Sequence, residues 1–185
     1  MQSISPETLF RGNYAWEESL PYIIKLTKTP LILGRGIHTK NLRNKIFTDL
    51  KNQNLNANSA NLQFDCCYED ISRVKKIILK NNHDSVIAAG GGKVLDCGKY
   101  IADHLDIPCI TVPLSASTCA GWTALSNIYT KEGKFIEDFA LRSCPKILVY
   151  DYKFIQTAPS RTLASGIADA LAKWYESSIT SSTID

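Results

Sequence analysis

Three consecutive glycines, Gly90, Gly91 and Gly92, followed by Lys93 and Asp96, are the residues of this chain best suited to chemistry. They lie in the stretch Ser85 to Lys99, SVIAAGGGKVLDCGK, where an apolar run meets an amphipathic one. Glycines allow backbone angles and close approaches that a Cβ would block. A helix that begins at such a turn presents unpaired N–H groups and a partial positive charge, which suits a diphosphate. Lys93 adds a mobile cation beside the turn, and Asp96, one turn into the helix, is placed to meet another part of a nucleotide. The pattern is not a Walker A loop, because Val94 stands where Ser or Thr would bind magnesium. Nor is it the usual dinucleotide fingerprint, because Leu95 takes the place of the third glycine. A strand-to-helix turn that holds no ligand satisfies the same spacing.

An alternation of strands and helices must position that turn. Ser85 to Ala89 is a short apolar run of the kind buried in a parallel sheet. From Lys93, apolar residues at Val94, Leu95, Ile101, Ala102 and Leu105 make one helical face. Upstream, Glu7 to Asn13 reads as irregular, Trp16 to Lys28 as a helix ended by Pro30, and Leu31 to Gly34 as a strand followed by Arg35 and Gly36. Leu42, Ile46, Phe47 and Leu50 mark a helix, Asn52 to Asn61 a polar loop, Leu62 to Cys66 a strand and Ile71 to Leu79 a helix. Cys109 to Val112 is a strand ended by Pro113. Ala124 to Thr130 and Lys134 to Phe139 flank Glu132-Gly133 as a hairpin, Ile147 to Tyr150 is a further strand, and Pro159 to Ser178 is a long helix.

This order predicts an α/β fold, a Rossmann-like parallel sheet with helices on both faces, plus a β-hairpin and the first helix of a truncated helical domain. The boundaries expected are a nucleotide-binding α/β domain over 1–156 and the start of a helical metal and substrate domain over 157–185. Ligands of such sheets bind beyond the carboxyl ends of the strands. The turns at Gly34 to Gly36, Gly90 to Gly92 and Pro113 to Thr118 should therefore share one edge.

Bulk composition narrows the function classes. The chain has 185 residues, is 44% hydrophobic and 21% charged, and carries a net charge of +3 from 21 basic and 18 acidic residues. That balance, with no basic run, gives no case for nucleic acid. The N-terminus lacks a basic segment followed by an apolar core, and no stretch reaches the ~18 apolar residues of a membrane span. The six cysteines, Cys66, Cys67, Cys97, Cys109, Cys119 and Cys144, form no C-x-x-C pair. Reduced cysteines in a cytoplasmic protein are expected.

Three stretches together resemble one family, the glycerol dehydrogenase branch of the metal-dependent, iron- or zinc-containing alcohol dehydrogenases. They are GGGKVLDCGK at Gly90 to Lys99, TVPLSASTCAGWTALSNIYTKEGKF at Thr111 to Phe135, and APSRTLASGIADALAKWYES at Ala158 to Ser177. The resemblance places the chain as roughly the N-terminal half of such a protein. It implies that Gly91, Gly92, Lys93 and Asp96 form the dinucleotide turn, with Ser115 and Ser117 alongside the cofactor and Thr123, Leu125 and Tyr129 around its nicotinamide end. It implies NAD or NADP as cofactor, and Asp169 as a ligand of a divalent metal, zinc or iron. The activity implied is hydride transfer between the nicotinamide and a small alcohol, polyol or hydroxy acid, in a homo-oligomer.

The departures refine this picture. Cys119 stands where the family has an Asp close to the substrate, which argues against glycerol itself. Trp122, in a Gly-Trp pair that replaces a smaller Pro-Thr, narrows or reshapes the substrate pocket, and Leu114 replaces a threonine that contacts the cofactor. Arg35 stands at the place of the acidic residue that binds the adenosine ribose, which favours NADP over NAD. The family completes its metal site with two histidines from the helical domain, whereas His38, His83 and His104 all precede the relevant helix. Either the sequence is cut short after Asp185 or the protein is split or degraded.

The residues also carry plainer readings. Asp169 serves as a helix-surface carboxylate, Ser115, Ser117 and Thr118 as caps of a following helix, Tyr129 as strand packing, Cys119 as an inert buried thiol, and Trp174 and Tyr175 as packing of the last helix. A non-catalytic nucleotide-binding fragment is thus the main alternative to the dehydrogenase. A dehydroquinate synthase-type lyase ranks below both, because PLSASTCAGWTALSNIY lacks that type's glycine-lysine run.

Overall fold

Leu31 to Leu33 and Val86 to Ala89 are apolar at every position, so neither run has a face suited to water. The computed structural model, which describes residues 5–182, buries both in the middle of a sheet. In chain order the elements are β1 (Thr8–Gly12), α1 (Ala15–Leu26), β2 (Pro30–Gly34), α2 (Lys40–Asn52), β3 (Asn58–Asn61), α3 (Tyr68–Lys80) and β4 (Ser85–Gly90). They continue with α4 (Gly92–Leu105), β5 (Cys109–Pro113), β6 (Leu125–Tyr129), β7 (Phe135–Ala140), β8 (Ile147–Asp151), α5 (Tyr152–Gln156) and α6 (Ser160–Ser182). Six strands form one sheet in the order β1-β8-β5-β4-β2-β3, and every neighbouring pair is parallel. β6 and β7 form the separate antiparallel hairpin that the sequence predicts.

Side chains alternate across a strand, so the sheet feeds two cores. Leu31, Leu33, Val86 and Ala88 meet Ile71 and Val74 of α3 and Leu95 and Ile101 of α4 on one side. Ile32, Ile87, Ala89 and Ile110 meet Trp16 and Ile23 of α1 and Ile46 and Leu50 of α2 on the other. Since all six strands of the sheet run the same way, the turns at Gly34 to Gly36, Gly90 to Gly92 and Pro113 to Thr118 leave from one edge, as expected.

The edges differ from the sequence expectation. Thr8 to Gly12 is not irregular but an edge strand, β1, paired with β8 from Thr8↔Ile147 to Gly12↔Asp151. It shields alternate residues, and Phe10 packs edge-on against Tyr22 with ring centroids 5.0 Å apart. The strand next to β2 is polar Asn58–Asn61, within the stretch expected to be a loop. Leu62 to Cys66, expected as that strand, is the loop after it. An edge strand packs little of its surface, so NSAN is tolerated there, while Leu62 and Cys66 fold under α3 into the core. The short α5 has no apolar period to announce it. Asp151 caps it by accepting from Phe154 N at 3.2 Å.

No helix among the described residues is long and apolar enough to cross a membrane.

Candidate functional site

β4 delivers Gly90 to the carboxyl edge of the sheet, Gly91 caps α4 without a side chain, and the helix axis begins at Gly92. Val94 N and Leu95 N both bond back to Gly91 O, at 3.0 and 3.1 Å. The turn opens into a cavity of ≈520 Å³ lined by Arg35, Thr39, the three glycines and Lys93. A Cβ on Gly92 would lie 3.2 Å from Thr118 Cγ2, and one on Gly91 would lie 3.7 Å from Ser115 Oγ. The glycines therefore keep open a cradle that ordinary side chains would fill, at a helix N-terminus whose partial charge suits an anion.

The loop after β5 forms the facing wall. Leu114 N donates to Gly90 O at 3.0 Å, and the Ser115 and Ser117 hydroxyls lie 3.1 Å apart. These serines do not cap a helix, because none follows; the chain runs through bends to the hairpin. The Leu114 side chain turns away from the cradle into the core beside α1 and α2.

Lys93 does not extend freely toward the cavity. Its ammonium pairs with the Asp65 carboxylate and lies 5.5 Å from the Tyr129 ring centroid. Asp65, only 3% exposed, also accepts from Cys66 N at 2.8 Å. Nothing in the sequence marked Asp65, since its partner is 28 residues away.

Asp96 lies on the side of α4 that faces the hairpin, outside the glycine cavity. Its carboxylate is 3.1 Å from Lys99 Nζ, and its carbonyl accepts from Ser126 Oγ at 2.9 Å. Burial pushes the Asp96 carboxyl up to about 6, against the opposing pull of Lys99. Lys99, only 2% exposed, also donates to Thr123 O at 3.1 Å, to Thr123 Oγ1 at 3.3 Å and to Leu125 O. This buried ammonium, missed in the sequence, fixes the segment that carries Thr123 and Leu125.

α6 packs against the loop after β5. A Cβ on Gly166 would lie 1.8 Å from Ala116 O, so the helix backbone rests directly on the Ser115 to Ser117 loop. Asp169, three residues on and half-buried, shares that face, and its Oδ1 is 3.9 Å from Lys173 Nζ. Cys119 is exposed rather than an inert buried thiol. It opens a turn in which Trp122 N bonds to its carbonyl at 2.9 Å, and its thiol is within electrostatic reach of Lys173 and Tyr150. Trp122 is 39% exposed beside it. Trp174 and Tyr175 do not pack the last helix down, being 76% and 70% exposed.

Among the described residues, no three His, Cys, Asp or Glu side chains gather to hold a metal ion. His38 is exposed, His83 Nδ1 lies 2.9 Å from Thr29 O, and His104 stacks on Tyr100 with centroids 4.0 Å apart. The glycine turn thus has the open backbone and basic lining that suit a phosphate-bearing ligand.

A family model described as iron-containing alcohol dehydrogenase matches residues 6–152. An uncharacterized oxidoreductase of Synechocystis sp. is 38% identical over 97% of this chain and 46% of its own length. A glycerol dehydrogenase of Escherichia coli is 33% identical over 84% of this chain and 42% of its own. The solved structure of glycerol dehydrogenase from Schizosaccharomyces pombe superposes with a TM-score of 0.82 at 29% identity, over 94% of this chain and 44% of that one. The chain spans about half the length of the curated relatives it matches.

Proposed function

The chain belongs to the iron-containing alcohol dehydrogenase family, and from that membership we propose that it is the cofactor-binding half of an oxidoreductase. The reaction is hydride transfer between a nicotinamide dinucleotide, NAD or NADP, and a small alcohol, polyol or hydroxy acid. The observation that carries this reading is the glycine cradle at the carboxyl edge of the sheet, with Ser115 and Thr118 of the loop after β5 beside its glycines. In it the N–H groups of Gly92 and Lys93 and the Lys93 ammonium receive the diphosphate. The Thr123 to Tyr129 segment, held by Lys99, orients the nicotinamide end, and Cys119 and Trp122 border the substrate. The cofactor supplies the hydride chemistry, and the protein aligns the reacting carbons.

Residues 1–156 form the nucleotide-binding unit in this reading, and 157–185 begin the part that binds metal and substrate. Asp169 is assigned as one ligand of a divalent metal, zinc or iron. A single carboxylate near an ammonium does not hold such an ion alone, so the chemistry assigned to the described residues stops at binding and orienting.

Titrating the chain with NADH, and separately with NADPH, while following nicotinamide fluorescence tests the proposal. Saturable enhancement supports a cofactor site. A linear response to both, with no saturation, would contradict it.

A further inference from the structure

Arg43 is a buried cation without a counter-charge. It is 8% exposed. Nη1 donates to Arg35 O at 3.0 Å and to the Thr39 hydroxyl, and Nη2 donates to Gly36 O at 2.9 Å and to Asn61 Oδ1 at 3.1 Å. Among the described residues, no carboxylate forms an ion pair with it. Gly34 makes the arrangement possible, since a Cβ there would lie 2.2 Å from Arg43 Cδ and Nε. Burying a charge against neutral acceptors is unfavourable unless the charge is used.

The surroundings show what it is used for. Arg43, Lys40, Phe47 and Asn61 line a cavity of ≈480 Å³. It shares Gly36 with the ≈520 Å³ cavity of the glycine cradle, where Arg35 and Lys93 stand. Every charged side chain lining either cavity is basic. β2 is the neighbour of β4 in the sheet, so the turn after β2 lies one strand from the cradle, on the side where a dinucleotide's adenosine ribose falls.

We infer that the turn after β2 and the start of α2 form a seat for the 2′-phosphate of an adenine dinucleotide, selecting the phosphorylated cofactor. Arg35 and Lys40, both exposed, contact the phosphate. Arg43 is a positioning residue. It clamps the Arg35 and Gly36 carbonyls beneath the turn, away from the anion, and adds positive potential from below. The inference rests on the reading of the glycine cradle as a diphosphate site.

Calorimetric titration with 2′,5′-ADP and with 5′-ADP separates the two claims. The intact chain should bind 2′,5′-ADP at least about tenfold more tightly, with a preference that shrinks as salt is raised. Arg35→Ala and Lys40→Ala should each reduce the ratio of the two affinities, and the double variant should bring it near one. Arg43→Lys, which keeps the charge but cannot span the four acceptors, should also lower the ratio. Equal affinities for the two nucleotides would overturn the inference and leave the dinucleotide reading standing. Binding of neither would overturn both.

Discussion

The Lys93 ammonium sits between the buried Asp65 carboxylate and the face of Tyr129, and this sets its behaviour. A charge fixed in that way loses little freedom when an anion arrives, and charge-assisted bonds to phosphate are the stronger kind. Lys93→Met should weaken NADPH binding by about tenfold, as expected for one lost charged hydrogen bond; fluorescence titration would read it, and an unchanged affinity would remove Lys93 from the site. Asp96 makes a different prediction. Its carboxyl is raised from 3.8 to about 6 by burial, so the folded protein holds the proton more tightly than the unfolded chain does. Its contribution to stability is therefore greatest below pH 3.8 and falls as pH rises through about 6. Asp96→Asn removes that decline. Variant stability minus wild-type stability should climb across this window by on the order of 2 kcal/mol. Urea unfolding at a series of pH values measures it, and a constant difference would refute the assignment.

At the scale of elements, α6 is the least ordinary part. Gly166 rests its backbone on Ala116 O, while Leu163, Ile167, Leu171, Trp174 and Ile179 remain more than half exposed along the helix. Gly166→Leu should raise intrinsic helix propensity yet lift α6 from the loop, because the added side chain meets backbone that cannot move aside. Trypsin should then cut faster at Arg161 and Lys173. Slower cleavage would show that propensity, not the contact, governs the helix. The exposed apolar stripe also predicts that this 185-residue chain pairs with a second copy in solution. A concentration-independent monomer by light scattering, with no dye binding, would contradict that.

Central elements were legible in the sequence and peripheral ones were not, for a physical reason. β2, β4 and β5 are buried on both faces, so their apolar runs had to be strands, and the glycines after β4 had to open a turn. β1 and β3 are edges, where one neighbour supplies the hydrogen bonds and side chains decide little, and β3 was assigned one segment too late. The site divides likewise. The turn and the long helix bearing Asp169 were read from local pattern. Asp65, Lys99 and Arg43 were not, because each acts on atoms distant in sequence: Asp65 on Lys93, Lys99 on Thr123, and Arg43 on Asn61. Cys119, expected as an inert buried thiol because no histidine lies near it in sequence, is exposed in the loop after β5, whose small and polar residues carry no burial pattern.

For the whole molecule, the parallel sheet gathers three turns from distant parts of the chain onto one edge. A helix N-terminus, a basic turn and a serine-bearing loop thereby meet around one groove. Two cavities that share Gly36 lie along that edge; in the proposed reading the adenosine end of a dinucleotide lies toward α2 and its nicotinamide end toward the hairpin. Hydrogen exchange with and without NADPH, resolved along the chain by mass spectrometry, tests this arrangement most directly. Slowed exchange at Gly91 to Val94, at Arg35 to Thr39 and at Ser115 to Thr118, with the sheet core unchanged, is expected. Exchange unaltered at the glycine turn, or protection confined to another face, would contradict it.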